Sequence, residues 1–488
     1  MSDIEHERQL ESHEIRDLAV KGVAALGLRT LIIRLMGLAV NLVLARLLTP
    51  HDFGLAAFGL TVVSVGAFLT DGGLGATLLR LTEVRRRQLE AFLGAQLVLA
   101  IATAAVIVAL GTQLGTAGGV AAVMALSLPF DAIKGPAGLT CERRLNYAPI
   151  VRAEVAEMLA YNVIAVSLVV AGAGIWGLAV AAPCRALVGA IVLTQQSGAR
   201  IRPRLLWDEV RPLYSFGVKL QGVTFLAFVR DQGLNIATTA IAGFAALGTL
   251  SLAQRLMQPI WLVFEGSWRV SFPAMSRLRD AGRDVAEISV RTLGLAATTT
   301  GFAVVAVSSS VPALVPSLFG DKWAGTIPVA PILLATLLIG GPMLACASGF
   351  FATIGRPGRV LRAEIAGTVV AFAVALPLLG PYGARGLAIG TFAATAVADV
   401  VLVHDLRAYG VHAGRVLLRS TAISAVSATA GWLVADELPA TLWAAVTGAL
   451  VGSALYVLLA WALERETVRD AINLARRALP QRAAPAGA

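Results

Sequence analysis

The sequence is short of charge, cysteine and histidine. Only 14% of its 488 residues are charged, against roughly a quarter in a soluble domain. A soluble chain of this length would carry polar linkers between domains, and none is present. Cys141, Cys184 and Cys346 lie far apart and form no CxxC, so neither a disulfide framework nor a metal site is expected. His6, His13, His51, His404 and His412 fall at or beyond the ends of apolar stretches, which argues against an intramembrane zinc or haem centre. No phosphate loop of the form GxxxxGK followed by Ser or Thr occurs, so ATP hydrolysis is not expected and no cofactor is implied. The polar first 21 residues contain no short apolar core with a small-residue cleavage site, so no cleaved signal peptide is expected.

What is present is apolar length. Hydrophobic residues make up 57% of the chain, and the mean hydropathy is +0.76. Apolar stretches of about 20 residues recur, the length a helix needs to cross roughly 30 Å of hydrocarbon. They are continuous rather than alternating, which excludes a barrel. The pattern predicts an all-α polytopic membrane protein with about 14 transmembrane helices. The expected spans are 24–46, 54–79, 89–111, 119–140, 151–171, 175–196, 213–242, 247–274, 287–314, 326–353, 359–379, 385–404, 415–435 and 440–462.

The net charge of +10 is a topology signal rather than a nucleic-acid one. Arginines gather in alternate loops: Arg85 to Arg87, Arg143 and Arg144, Arg200 to Arg204, Arg277 to Arg283, Arg356 and Arg359, Arg407 and Arg415. The intervening loops hold only Lys322, with Arg46 and Arg385 at their borders. The positive-inside rule then places the Arg-rich loops and both termini in the cytoplasm of a cell with this protein in its inner membrane. No loop exceeds about 20 residues on this reading, which leaves no room for an extramembrane catalytic domain. The protein is not expected to be an enzyme.

The chain also repeats itself weakly. Arg152-Ala153-Glu154 recurs as Arg362-Ala363-Glu364, and Gly177-Leu178-Ala179 as Gly386-Leu387-Ala388, at offsets of 210 and 209. Phe53-Gly54-Leu55-Ala56 and Leu247-Gly248-Thr249-Leu250 start spans two and eight, 194 apart. Spans one to six therefore match seven to twelve. Six is even, so the halves share one orientation and form two six-helix lobes in a parallel pseudo-two-fold repeat, plus two C-terminal helices. The expected division is a cytoplasmic segment 1–23, an N-lobe 24–196, a linker 197–212, a C-lobe 213–404, two further spans within 405–462 and a cytoplasmic tail 463–488.

An ionised side chain in lipid costs about 3 kcal/mol or more and therefore faces a cavity or a partner. Arg255, Gln258, Glu265 and Arg269 fall on one face of span eight. In span seven, Lys219 and Arg230 share a face, and Gln221, Thr224, Asp231 and Asn235 make a second polar stripe. Thr30, Arg34 and Asn41 line up in span one, and Lys134 and Arg185 add cations in spans four and six. One reading is a wet, mainly cationic cavity between the lobes. Arginine suits phosphate there because its planar fork donates two hydrogen bonds and keeps its charge. The structural alternative is pairing: Glu265 with Arg269, Asp131 with Lys134, Arg230 with an acid on a neighbouring span. Asp71, in Asp71-Gly72-Gly73-Leu74-Gly75, reads as a cap, and Asp399 as a candidate proton or sodium site.

Ala45-Arg46-Leu47-Leu48-Thr49-Pro50-His51-Asp52-Phe53-Gly54, followed by Asp71-Gly72-Gly73-Leu74-Gly75-Ala76, resembles the start of bacterial polysaccharide flippases of the multidrug/oligosaccharidyl-lipid/polysaccharide exporter superfamily. Phe272-Pro273-Ala274-Met275-Ser276-Arg277-Leu278, and Leu318-Phe319-Gly320-Asp321-Lys322-Trp323 with Ile327-Pro328, are similar to the same family. The resemblance covers residues 25 to 460. It implies a two-lobed helical transporter that moves lipid-linked oligosaccharides, typically on undecaprenyl diphosphate, by alternating access. Family members often carry an acid just before the position of Asn235; here that residue is Leu234, with Asp231 about a turn earlier.

On this reading Arg34, Lys219, Arg230, Arg255 and Arg269 hold phosphates, while Asn41, Asn235 and Gln258 contact sugar or water. The expected partners are the lipid-linked substrate, membrane lipid and a polysaccharide polymerase or export complex. The alternatives are a cation-coupled drug or metabolite antiporter of the same superfamily, a membrane-embedded glycosyltransferase or polymerase, and a non-transporting scaffold. An antiporter calls for acids and aromatics in its cavity, and a polymerase for a long periplasmic loop with paired acids.

Overall fold

The computed structural model describes residues 37, 39–81, 83–144, 146–198, 201–220, 222–280 and 285–470. The side chains of 216, 218–220, 222–224, 259 and 261–280 are not described. The N-terminal segment, Thr30, Arg34, Gln221 and the tail from 471 lie outside the described residues, as do the side chains of Lys219, Thr224, Glu265 and Arg269. Every regular element among the described residues is helical.

Helical residues 39–47 form α1. There follow α2 (Pro50–Asp71), α3 (Leu74–Arg80), α4 (Arg86–Gly111), α5 (Gly115–Ala125), α6 (Leu128–Arg143), α7 (Ala148–Leu168) and α8 (Ile175–Ser197). Next come α9 (Trp207–Leu220), α10 (Gly222–Asp280), α11 (Val285–Phe319), α12 (Ala330–Thr353), α13 (Gly358–Tyr382) and α14 (Ala384–Arg407). The chain ends in α15 (Ala413–Glu437) and α16 (Leu442–Leu463). Eleven helical segments among the described residues are long and apolar enough to cross a membrane.

The start of α2 follows directly from its sequence. Pro50 sits at the first position, where its missing N–H is not needed. The Thr49 hydroxyl accepts from the Asp52 N–H at 3.2 Å, and the Thr49 N–H donates to the Asp52 carboxylate at 2.9 Å. That reciprocal box satisfies two otherwise orphaned donors.

Three expected boundaries are corrected. Span two ends at Asp71, because Gly72 and Gly73 take positive φ values of 50° and 74° and turn the chain into the short α3. The fourth span is two helices, α5 and α6, joined at Leu126 and Ser127. Residues 243–246 are not a loop. Spans seven and eight are the two arms of α10, which breaks only at Gly243 (φ 84°, ψ 172°).

Helix α9 straps the linker to the N-lobe. It buries Val210 and Leu213 against Leu74, Leu78 and Phe92, and Glu209 pairs with Arg87 at 3.5 Å. At the opposite end of the chain, α15 and α16 pack on α11 and leave Leu418 and Trp443 facing outward, 73% and 81% exposed.

The repeat is visible in backbone conformation. Gly174 (φ 54°, ψ −133°) turns α7 into α8, and Gly383 (φ 53°, ψ −132°) turns α13 into α14. Only glycine adopts such a conformation readily. At the matched Gly177 and Gly386, an added Cβ would press on the preceding helix, against Val169 in one hairpin and Leu378 in the other. The largest buried apolar cluster runs through both lobes, with Leu44, Phe53 and Leu178 from the first and Leu250, Val315 and Trp323 from the second.

Candidate functional site

The cations sort into two kinds. Lys134 on α6 is neutralised by Asp131 at 2.6 Å and by Glu157 on α7 at 2.7 Å. Arg230 on α10 contacts Glu364 on α13 and its neighbour Asp231, each at 3.0 Å. Both cations therefore have a structural use, because a carboxylate offsets the cost of placing each in a low-dielectric setting. Neither is freely available to a ligand.

Arg255 and Arg185 are different. Arg255, on the second arm of α10, is partly buried and has no carboxylate partner among the described residues. Its guanidinium lies 5.0 Å from the centroid of the Phe53 ring of α2, within cation–π reach. Arg185 on α8 has a buried Nε with no hydrogen-bond partner. Tyr161 on α7 is an electrostatic neighbour of both arginines. The adjacent Asn162 also buries an Nδ2 with no partner. One cation from each lobe thus lies within electrostatic reach of the same phenol. Sequence reasoning singled out neither Tyr161 nor Asn162. Only their polarity beside the apolar C-terminal half of α7 marked them.

The other expected residues are dispersed. Asn41 is half-buried on α1, and Gln258, three residues beyond Arg255, is exposed. Asn235 reaches across the lobes, its Nδ2 donating to Thr61 Oγ1 of α2 at 3.3 Å. Asp71 accepts from the Gly73 N–H at 3.2 Å, the capping role expected of it. Asp399 lies in a cavity of about 250 Å³ inside the C-lobe, lined also by Arg230, Thr336, Glu364, Thr391 and Thr395. Its Oδ2 is buried without a hydrogen-bond partner.

One end of the lobe seam is fastened by the residues of the sequence motifs. Trp323 donates its indole N–H to the Ala45 carbonyl at 2.9 Å, and Lys322 donates to the Arg46 carbonyl at 2.8 Å. Arg46 donates in return to the carbonyls of Ser317 and Leu318. Phe53 meets the Trp323 ring edge-on at 5.0 Å. Two stretches about 270 residues apart in sequence thus form one clasp, and its Phe53 also carries Arg255.

A family model described as "Polysaccharide biosynthesis protein" matches residues 43–328, which includes both halves of the clasp. The chain belongs to this family. Among curated relatives, the succinoglycan biosynthesis transport protein ExoT of Rhizobium meliloti is 26% identical, with 91% of this chain and 93% of that protein covered. The lipopolysaccharide biosynthesis protein WzxC of Escherichia coli is 24% identical, covering 72% and 71%. Among solved structures, the lipid II flippase MurJ in an inward-closed conformation superposes with a TM-score of 0.74 at 12% identity, over 91% of this chain and 99% of that one. An inward-facing multidrug resistance MATE transporter of the MOP superfamily gives 0.57 at 16% identity, over 78% and 95%. These likenesses show the fold: the family member is a multi-pass helical membrane protein built on the two-lobed plan.

Proposed function

We propose that the protein is a flippase that moves a lipid-linked oligosaccharide or polysaccharide precursor across the bacterial inner membrane by alternating access of its two lobes. The observation that carries this reading is the Arg185–Tyr161–Arg255 cluster. Two cations, one from each lobe, that lack a carboxylate partner among the described residues are costly in a membrane interior unless an anion visits them. A polyprenyl diphosphate head supplies that anion, and arginine forks match its oxygens. Family membership supports the pathway, as does the likeness to ExoT and WzxC. No covalent step is needed, so no catalytic residue is assigned. In this reading the Arg-rich loops and both termini are cytoplasmic, and a polymerase or export complex takes up the delivered precursor.

The test is transport by the purified protein in liposomes loaded on one leaflet with a polyprenyl diphosphate-linked oligosaccharide. Transfer that depends on the protein and is lost in Arg255→Ala is the expected result. Absence of transfer by the native chain, or full transfer in both Arg185→Ala and Arg255→Ala, overturns the reading. A second reading, cation-coupled antiport, is favoured by the buried carboxylate of Asp399 in the C-lobe cavity. It predicts export of organic cations, abolished by Asp399→Asn and indifferent to Arg185 and Arg255.

A further inference from the structure

The seam between α2 and the first arm of α10 is closed unevenly. At one end Phe68 stacks on Phe228 with ring centroids 4.4 Å apart. At the other, Phe58 meets Phe244 at 5.7 Å, and Gly54 packs against the Phe244 carbonyl. Between these aromatic closures the polar contact across the seam is the Asn235–Thr61 hydrogen bond. Immediately beside it, Val62 and Ile236 line a cavity of about 430 Å³ with Val65, Leu69, Val106 and Ile107. Leu69, Val106 and Ile236 are exposed in the protein itself, at 58%, 56% and 44%. The cavity is therefore an apolar groove open to the surrounding hydrocarbon.

Neighbouring residues on both helices thus serve opposite environments. Thr61 and Asn235 bridge the lobes; Val62 and Ile236 face outward into the groove. A substrate with a charged head and a long apolar tail needs that division. Its head must enter between the lobes while its tail remains in lipid, since withdrawing an isoprenoid chain from hydrocarbon into a wet chamber costs about 25 cal/mol for each Å² exposed. The groove lies directly beside the lobe seam, since its lining residues Val62 and Ile236 follow Thr61 and Asn235 in sequence. A single hydrogen bond between uncharged groups is weak enough to open and reclose in each cycle.

We propose that the groove between α2, α4 and α10 holds the polyprenyl tail of the substrate during translocation, with the Asn235–Thr61 contact as the point where head and tail part. This rests on the flippase reading. It assigns the tail a place on the α2–α10 side of the molecule, away from α15 and α16.

A polyprenyl diphosphate carrying a photoreactive group on its chain tests it in liposomes containing the full-length protein. The expected crosslinks fall on peptides of α2, α4 and the first arm of α10. They are competed by unlabelled polyprenyl diphosphate and not by excess phospholipid. Val106→Trp and Ile236→Trp, which fill the groove, are expected to lower transfer of the long-chain substrate at least tenfold. The same variants are expected to leave transfer of a short-chain analogue unchanged, which also shows that they fold. Leu433→Trp, on the outward face of α15, is the control and transfers both. Crosslinks confined to other helices, or equal competition by phospholipid, overturn the tail site while native transfer leaves the flippase reading standing. Equal loss of long-chain and short-chain transfer in the tryptophan variants also overturns the tail site. If the native protein transfers no substrate, the flippase reading fails and the tail site with it.

Discussion

Gly54 and Gly248 stand backbone against backbone at the lobe seam. A Cβ on Gly248 would run into the Pro50 carbonyl and lie 2.9 Å from the Gly54 nitrogen, and one on Gly54 would meet the Phe244 carbonyl. These are the two glycines that the sequence repeat pairs, so the elements related by the pseudo-two-fold axis also touch each other. Gly248→Ala is expected to cost about 1–3 kcal/mol, the usual penalty for forcing volume into a packed contact. A fall in Tm in detergent reads that loss. An unchanged Tm would show that the helices separate there without cost.

Arg255→Ala and Arg185→Ala are each expected to reduce substrate transfer by about 10- to 100-fold, the equivalent of losing a charge-assisted contact of about 1.5–3 kcal/mol. Their insertion and Tm are expected to stay near native, because no carboxylate among the described residues is abandoned. Arg255→Lys recovers part of the transfer, since a point charge replaces a two-pronged donor. Measured transfer rates in liposomes separate the three.

The opposite behaviour is expected of the paired cations. Glu364→Leu leaves Arg230 with Asp231, itself more than half exposed, and is expected to destabilise by about 1–3 kcal/mol, as losing a charge-assisted contact does. Arg230→Met combined with Glu364→Leu is expected to regain most of that loss. A double-mutant cycle in Tm or denaturant midpoint checks it; additive losses would contradict the pairing.

Asp470 accepts two hydrogen bonds from Arg291 of α11, each 2.7 Å. Those bonds hold its carboxyl below the usual range. The folded value is depressed, so the contribution is fully present above the unfolded carboxylate value of about 3.9. It is lost as pH falls from there through the folded value. Hydrogen exchange in residues 464–470 is expected to accelerate at the acid end of that window, and Asp470→Asn to show the faster exchange already at neutral pH. Identical exchange in the native protein and the Asp470→Asn variant at neutral pH would remove the pair from any anchoring role.

The lobes and most spans were legible because lipid thickness imposes a length that composition alone reveals. The break in α10 was not. Gly243 looks like the start of a loop in a hydropathy profile, yet Phe244, Ala245 and Ala246 have no polar reason to leave the helix, and only one residue departs from it. Leu213 reads as a membrane residue in sequence, yet it packs with Val210 on α3 and α4. The charge pattern of single helices identified Lys134, Arg185, Arg230 and Arg255 as polar points, and Asp131 as a partner of Lys134 on its own helix, but not which residues of other helices they meet. Glu157 and Glu364 come from other helices, and periodicity within one element carries no information about its neighbour. Tyr161 was missed for the same reason, since its meaning comes from α8 and α10.

The fastening of Lys322 and Trp323 onto the last carbonyls of α1 makes the two halves of a transport cycle unequal in effort. Parting the lobes at that end strands two carbonyls and an indole N–H, each costing about 1–3 kcal/mol if it finds no new partner. Opening at that end therefore requires a new partner for each of these groups. Because Phe53 touches both Trp323 and Arg255, the fastening and the buried cation share one ring, and neither can be repacked without the other.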